Sequence, residues 1–338
     1  MINRIRLHNS VSEKKALLSV YENKQWVVGS DLHKMESTLC NLFQKKYCVL
    51  TSNGFASLFI SIKSLGLKNE YIHLPETSTC FAMVNAIISS GNIPVFLKSN
   101  PFTGNIYFEK TRLNELKSKY IVFPNHSGIT FDFAPLKKQG FTIIEDCAQS
   151  FISSSQKKSK SLIQTFSFYS TKTLNGIDGG AILTDDVNIF KRANKMVYYD
   201  EQLKYDGSER YNFRLANINA AVFNSNILRL QKIKSKLITI FDAYYKEIYN
   251  KIEMQIGNVN TDVLSKFVLI CKDSKQKNQI VALSKKYHIQ LSEVYISISN
   301  KKLSKNGNIV KDLTLQIPYY EDLNSEEIKT VCEFLRAI

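Results

Sequence analysis

The sequence predicts an α/β fold built around a mostly parallel sheet. Short apolar runs recur through the first half of the chain, at 93–96, 120–123 and 141–144, and spacers of helix length separate them. Such alternation is typical of parallel strands joined by right-handed helical crossovers. A chain of 338 residues is long enough for two domains with cores of their own. We expect a large domain over residues 1–230 and a smaller C-terminal α/β domain over residues 231–338.

Apolar spacing along the chain predicts the individual elements. The predicted helices lie at 11–22, 32–44, 56–65, 79–89, 215–236, 275–287 and 325–337. The predicted strands lie at 47–50, 71–74, 93–96, 120–123, 141–144, 165–169 and 266–271, with a strand-like stretch at 289–297. Loops are expected at 153–161, which is rich in Ser and Lys, and at 300–308.

Two helix starts lead to specific expectations. The polar residues 52–54 precede the helix at 56–65, and this turn fits either a phosphate site or a plain N-cap at Ser52 or Asn53. For the last helix we expect Ser325 to be the only cap. The reason is that Ile328 stands where a capping box started by Ser325 needs Glu or Gln.

Composition narrows the class of protein. The chain is 44% hydrophobic and 22% charged, which is ordinary for a globular protein. Neither a signal peptide nor a membrane segment is indicated, and six scattered cysteines suggest a cytoplasmic protein with reduced thiols. The net charge of +15 comes from scattered lysine pairs, so we expect no nucleic-acid partner, and the scattered histidines indicate no metal site.

An acid and a lysine stand at the ends of two predicted strands. Asp146 follows the run at 141–144, and Lys172 follows the run at 165–169, with a glycine pair at Gly179 and Gly180. Groups at the carboxyl ends of parallel strands meet in one crevice. A lysine amine forms a Schiff base with a carbonyl such as that of pyridoxal phosphate, and a carboxylate keeps the cofactor's pyridine nitrogen protonated. A loop-capping acid and a surface lysine are the plain alternative.

The segments EDCAQS (145–150) and SFYSTKTLNGIDGG (167–180) resemble the signature of the DegT/DnrJ/EryC1/StrS aminotransferases. These are fold-type I pyridoxal-phosphate enzymes that act mostly on nucleotide-linked keto sugars. Further segments resemble the family in order: 25–39, TSNGFASLF (51–59), PETSTCFAMVNAI (75–87), ERYNFRLANINAAV (209–222) and 315–328. The matches cover roughly residues 20–230 and then become sparse.

The resemblance implies a role for each matching position. Lys172 takes the Schiff-base position, Asp146 pairs with the pyridine nitrogen, and Gln149 reaches the ring hydroxyl. Ser167 binds the phosphate, and Asn212 is offered to the phosphate of the partner subunit, which implies a homodimer. The remaining cofactor contacts fall on the phosphate turn and the ring-stacking segment: Gly54, Phe55, Ala56 and Cys80.

The chain departs from the family pattern at several positions. Phe55 stands where a Thr usually supplies a hydroxyl to the phosphate, and Cys80 replaces the ring-stacking aromatic, with Phe81 beside it. Residues 293–302 replace the usual substrate segment, and the glycines expected after the acid-Gln motif are absent. Lys172 itself argues against the family's dehydratase branch, which has histidine there.

The resemblance implies an aminotransferase that moves nitrogen from an amino acid, with glutamate expected, to a nucleotide-linked keto sugar. Such products enter bacterial surface polysaccharides or related amino sugars. Two alternatives stay open at this point. One is the same chemistry on a keto substrate without a nucleotide, and the other is a binding or regulatory protein that keeps only the fold. His126 is open too, between contact with the substrate and an ordinary loop histidine.

Overall fold

A computed structural model describes residues 1–150, 159–199, 206–257, 263–293 and 302–338. The described helices are α1 Val11–Glu22, α2 Ser30–Phe43, α3 Gly54–Ser64, α4 Phe81–Ser89, α5 Ala134–Lys138, α6 Val187–Val197, α7 Asn217–Ile227, α8 Leu230–Ile248, α9 Ser274–Lys286, α10 Lys305–Asp312 and α11 Ser325–Arg336. The strands are β1 Tyr47–Thr51, β2 Tyr71–Pro75, β3 Ile93–Leu97, β4 Tyr120–Pro124, β5 Thr142–Asp146, β6 Ile163–Ser167, β7 Gly180–Thr184, β8 Glu253–Met254, β9 Phe267–Ile270 and β10 Thr314–Ile317.

Seven strands form the large sheet, in the order β1-β7-β6-β5-β4-β2-β3. Each neighbouring pair from β6 to β3 is parallel, whereas β7 runs antiparallel to both β1 and β6. The expectation of an α/β fold with a mostly parallel sheet is therefore confirmed. The antiparallel strand β7 and the helix α6 that follows it were not predicted from the sequence.

Both faces of the large sheet are covered. Val49 and Ile182 face one apolar cluster, which includes the buried side chains of α3, α4 and α6, while Leu50 and Leu183 face a second cluster with α2 and α7. Successive residues of a strand point to opposite faces. Strands that are buried on both faces are apolar at nearly every position, and this explains the continuous apolar runs in the sequence.

The C-terminal part has a three-stranded antiparallel sheet in the order β10-β9-β8, and α8 packs against α11 beside it. Its buried side chains, such as Ile240 and Phe334, belong to the same apolar cluster as Leu39 and Phe166 of the large sheet. The two parts therefore share one continuous core. The domain boundary at 230/231 stays a prediction. Among the described residues every helix is too short or too polar to cross a bilayer.

Three predictions of local structure were wrong. The single helix predicted at 215–236 is two helices, α7 and α8, and α7 is held at its end because Asn226 donates to Glu13 at 2.8 Å and to the Asn175 carbonyl at 3.1 Å. Four of the nine residues of the loop predicted at 300–308 are helical, because α10 begins at residue 305. The described part of the predicted strand at 289–297 contains isolated bridges rather than a strand.

Contacts distant in sequence stabilise α10. The N-cap is Ser304, whose hydroxyl accepts from the Gly307 N–H at 3.0 Å. The backbone N–H of Ser304 donates to the Glu76 carboxylate at 3.1 Å, and its hydroxyl bonds to the same group. A local reading of this polar segment misses these contacts. The predictions at 151–158 and 294–301 fall outside the described residues.

The cap predicted for α11 was also wrong. Asn324, rather than Ser325, is the N-cap, and with Glu327 it forms a complete capping box. The Asn324 side chain accepts from the Glu327 N–H at 2.9 Å, and the Glu327 carboxylate accepts from the Asn324 N–H at 3.0 Å. The predicted helix start at residue 325 agrees with α11, but the predicted N-cap was one residue too late, which placed Ile328 rather than Glu327 at the third position of the capping box.

We expect Asn324→Ala to lower the free energy of unfolding by about 1 kcal/mol, because it removes the acceptor for an otherwise unpaired N–H. Chemical denaturation of the cofactor-free protein measures this loss. Ser325→Ala is the matched control, and it should change the stability by less than about 0.5 kcal/mol. A larger loss for Ser325→Ala than for Asn324→Ala would contradict this assignment of the cap.

Candidate active site

The predicted acid and lysine lie at one edge of the large sheet. Asp146 ends β5 and pairs in register with Thr165 of the parallel neighbour β6. Ser167 ends β6, and Lys172 follows in a turn where its N–H donates to the Tyr169 carbonyl at 2.8 Å. Because carboxyl ends of parallel strands share one edge, the fold brings Asp146, Ser167 and Lys172 together.

Asp146 is a buried carboxylate with no ion pair among the described residues. Its Oδ1 accepts from the Ala148 N–H at 2.9 Å. Burial raises the pKa of Asp146 and Glu145 adds to the rise, whereas the Ala148 hydrogen bond and the charge of Lys172 oppose it. An ionised acid buried in this way favours a nearby positive charge.

Cys80 is the N-cap residue of α4 and lies near both catalytic candidates. The residue is exposed, yet protein atoms packed around the thiol raise its pKa, and the charge of Asp146 adds to that rise while Lys172 opposes it. Phe81 is exposed, at 59% of its surface. The Cys80 thiol is therefore close enough to Asp146 and Lys172 for their charges to act on it.

The turn at 52–56 forms the N-terminus of α3. Of the two caps left open by the sequence, Asn53 is the one that accepts from the Ala56 N–H, at 2.9 Å. That bond occupies the Ala56 N–H, so within the described chain Gly54 and Phe55 offer the first N–H groups of the helix to an anion. The Phe55 ring stacks on Phe59 at 6.0 Å, which leaves only its backbone for such a contact.

Gly54 lies against Ser167, and this contact connects α3 to the end of β6. A Cβ built on Gly54 would lie 2.7 Å from the Ser167 Cβ. Gly180 is enclosed in the same way, because a Cβ there would lie 2.6 Å from the Asn53 carbonyl oxygen. Glycine at these two positions allows β6, β7 and the N-terminus of α3 to approach each other closely.

We expect Gly54→Ala to lower the free energy of unfolding of the cofactor-free protein by about 1–3 kcal/mol, since the new methyl group overpacks a rigid contact. Thermal unfolding measures this loss. Ser167→Gly removes the opposing Cβ, so the double variant should recover most of the stability that Gly54→Ala loses. If the double variant is no more stable than Gly54→Ala, the loss does not arise at this contact.

Gln149 is half-buried and is oriented by the backbone. Its Oε1 accepts from the Ser127 N–H at 3.2 Å, and it lines the same cavity as Lys172. His126, in the same turn as Ser127, is buried, and burial together with the charges of Lys266 and Lys172 holds its pKa well below the usual range. A neutral histidine beneath the site fits these data.

Asn212 lies on the surface, next to the phosphate turn of its own chain. The Phe213 carbonyl accepts from the Ser52 N–H at 2.6 Å, and the rings of Tyr211 and Phe213 pack edge-on against Phe59. Asn212 itself is exposed. Because extended residues alternate in direction, the Asn212 side chain points away from this contact.

Sequence reasoning missed two cations near Lys172. Lys266 immediately precedes β9, and Arg4 belongs to the N-terminal segment; both line the cavity beside Lys172. The position of Lys266 at the start of the apolar run that forms β9 could have indicated a functional cation. No local sequence feature indicated such a role for Arg4. His8 and Glu321 line the same cavity. His8 pairs with Asp322 at 2.9 Å, and these three residues are the group within the described chain whose side chains lie close enough together to hold a metal ion.

The comparisons with known proteins identify the family of this chain. The model of the DegT/DnrJ/EryC1/StrS aminotransferase family matches residues 8–336. GDP-perosamine synthase of Escherichia coli O157:H7 is 24% identical over 332 residues, which cover 90% of this chain and 89% of that protein. The chain therefore belongs to the DegT/DnrJ/EryC1/StrS aminotransferase family.

Two solved structures share the fold. Helicobacter pylori PseC, an aminotransferase involved in the biosynthesis of pseudoaminic acid, superimposes with a TM-score of 0.86 at 20% identity, covering 98% of this chain and 97% of that one. The NtdA structure from Bacillus subtilis, with bound cofactor PMP, has a TM-score of 0.84 at 20% identity, covering 99% of this chain and 87% of that one.

Proposed function

We propose that the chain is a pyridoxal-phosphate-dependent aminotransferase that transfers an amino group from an amino acid, with glutamate expected, to a nucleotide-linked keto sugar. One observation carries the proposal. Asp146 is a buried acid without an ion-pair partner among the described residues, and it lies beside Lys172 at the carboxyl edge of the sheet. Such a pair fits a cofactor with a protonated ring nitrogen and a carbonyl that bonds to an amine.

The other predicted contacts fit the same cofactor. The close contact between Gly54 and Ser167 joins a helix N-terminus to a hydroxyl, and both are suited to a phosphate group. In our proposal Ser167 and the N–H groups of Gly54 and Phe55 bind that phosphate, and Ala56 contributes only if Asn53 shares its N–H. With the cofactor bound, Gln149 would reach the ring hydroxyl, and Cys80 would take the position against the ring that an aromatic residue usually has.

When bound, pyridoxal phosphate supplies an electron sink for the carbanion formed at the donor's α carbon. Lys172 holds the cofactor covalently at rest, and its amine then moves the proton at the donor's α carbon. Asp146 keeps the ring nitrogen protonated. His126 is buried, and its lowered pKa favours the neutral form, so it contributes no charge to the site.

The substrate part of the proposal follows the names of the relatives. The E. coli relative makes a GDP-linked amino sugar by its name, and H. pylori PseC is named for a pathway to an amino sugar. The net charge of +15 suits an anionic nucleotide sugar. We therefore propose a role in the cytoplasmic synthesis of amino sugars for bacterial surface polysaccharides.

Absorbance spectroscopy tests this function. The purified protein should be yellow with bound cofactor, and glutamate should bleach it. A panel of keto-sugar nucleotides should then restore the colour only with the true acceptor. Colour that no amino acid bleaches would rule out an aminotransferase, and a colourless protein that binds no added cofactor would favour a binding role.

We also propose that the enzyme is a homodimer whose active sites are shared. Asn212 is exposed and points away from its own phosphate turn, as a residue offered to a partner should. Nearby large apolar side chains at Tyr21, Trp26 and Val28 are exposed at 64%, 49% and 76% of their surfaces. An exposed apolar patch of this kind suits a two-fold interface.

We expect Asn212→Ala to weaken cofactor binding by about 10-fold or more, because it removes a hydrogen bond to a charged group. Mixed dimers then reveal which chain contributes the residue.

In a dimer of one Lys172→Ala chain and one Asn212→Ala chain, one site keeps both wild-type residues if Asn212 acts across the interface. Tight cofactor binding at half occupancy is the expected result. Weak binding at every site, or a stable monomer in sedimentation, would contradict the shared site.

A further inference from the structure

A cavity of about 210 Å³ borders the catalytic lysine on the side of the N-terminal segment. Lys172 and Gln149 line it, together with four polar residues that we call the polar wall: Arg4, Lys266, Ser265 and Gln316. The volume is below the roughly 300–1,000 Å³ of pockets that enclose drug-sized ligands. The cavity therefore suits a small molecule, of the size of an amino acid, rather than a nucleotide sugar.

The two cations of the polar wall, Arg4 and Lys266, lack ion-pair partners within the described chain. Two other basic residues around the cavity already have acidic partners: Arg6 pairs with Glu327 at 2.6 Å, and the His8 ring lies 2.9 Å from the Asp322 carboxylate. Glu321 is the single acid among the described lining residues. Arg4 and Lys266 thus leave positive charge facing the cavity, and this charge favours an anion.

Two uncharged groups in the lining are also unsatisfied. The Gln316 Oε1 and Ser265 Oγ atoms are buried and have no hydrogen-bond partner among the described residues. Gln316 is only 6% exposed. Buried polar atoms are nearly always paired in folded proteins, so an unpaired amide and an unpaired hydroxyl in one cavity indicate a polar ligand.

Backbone hydrogen bonds anchor the two segments that carry Arg4 and Lys266. The N-terminal segment is bonded to the C-terminal part because the Ile2 N–H donates to the His288 carbonyl at 2.8 Å and the Arg4 N–H donates to Gln290 Oε1 at 3.1 Å. On the other side, the Ser265 N–H donates to the Ser127 carbonyl at 2.9 Å. The backbone that carries both cations is thus in place before any ligand binds, which lowers the entropy cost of binding.

We propose that Arg4 and Lys266 bind a carboxylate of the amino donor, next to the amine that Lys172 activates. Arg4 supplies a planar fork of donors that matches a carboxylate, and Lys266 supplies a second charge-assisted hydrogen bond. Ser265 and Gln316 complete the polar wall. The assignment rests on the proposed function, and it adds the donor class: an amino acid with a carboxylate that reaches this wall.

The surroundings of Lys266 give the site a pH dependence. Burial, followed by the charges of Lys172 and Arg4, lowers the pKa of Lys266 to about 7, and Cys80 opposes this shift. The neutral His126 packs close by. A bound carboxylate favours the charged form of the Lys266 amine. Carboxylate binding above pH 7 should therefore take up a proton, and the affinity should fall as the pH rises.

Calorimetric titration of the holoenzyme with glutarate tests the subsite directly, because this dicarboxylate resembles the donor but has no amine to react. We expect Arg4→Gln and Lys266→Gln each to weaken glutarate binding about 10- to 100-fold. Arg112→Gln, which removes an exposed arginine paired with Glu115, is the control and should bind like the wild type. Titrations at pH 8 in two buffers of different ionisation enthalpy should show proton uptake for the wild type, and none for Lys266→Gln.

Two results would overturn the proposal. One is unchanged glutarate binding by both variants. The other is unchanged donor bleaching by the two variants together with a higher KM for the keto-sugar acceptor or weaker binding of inorganic phosphate. In that case the cations would serve the acceptor. Failure of the proposed function looks different. In that case no amino acid bleaches the holoenzyme, although glutarate binding still depends on Arg4 and Lys266.

Discussion

Lys172→Ala should abolish transamination, with a loss of at least about 10³-fold in turnover, because one substitution removes both the covalent attachment of the cofactor and the group that moves the proton. The fold should survive, since Lys172 is half-buried and lies in a turn after β6. Turnover with glutamate and the loss of yellow colour measure the effect. Lys160→Ala, in the loop before β6, is a matched control that should retain both.

Chemical labelling makes the assignment specific. Borohydride reduction of the wild-type holoenzyme, followed by peptide mapping, should place the cofactor on Lys172. Lys266 is the informative competitor, because its pKa of about 7 makes it the other reactive amine next to the cavity. Label on Lys266, or on any other lysine, would refute the role of Lys172.

Asp146→Asn should reduce kcat by about 10²–10³-fold, the usual cost of removing a preorganised electrostatic contact to the reacting group. The amide keeps the size and one hydrogen bond but cannot hold the proton on the ring nitrogen. Because that interaction strengthens in the transition state, the loss should fall on kcat rather than on the KM for glutamate. Retention of most of the turnover would mean that Asp146 only caps the turn at Ala148.

Stability gives a second measure of Asp146. Burial raises its pKa in the cofactor-free chain, so the ionised form is disfavoured there, and it costs stability at pH values above the folded-state pKa. We therefore expect cofactor-free Asp146→Asn to be at least as stable as the wild type at pH 7. With cofactor the order should reverse, because a protonated ring beside the carboxylate lowers its pKa and stabilises the wild type. Thermal unfolding with and without cofactor measures both.

The features that sequence predicted well depend on local patterns. Helices α1 and α9 were expected within one residue of their observed bounds, because apolar spacing and caps are properties of neighbouring residues. The placement of Asp146 and Lys172 at strand ends followed in the same way. The same two residues, with the segments around them, resembled the family in sequence order. The family model, which matches residues 8–336, confirms that resemblance.

What the tertiary structure decided depends on residues far apart in the chain. The strand β7 lies antiparallel between β1 and β6, a position that the enclosed Gly180 permits and that apolar content alone does not specify. The helix α10 depends on Glu76, and the outward direction of Asn212 depends on the packing of its neighbours on Phe59. Arg4 and Lys266 are 262 residues apart by number, yet they line one cavity beside Lys172. Local patterns specify elements and their ends, whereas sheet order, burial and the meeting of distant charges arise only when the whole chain packs.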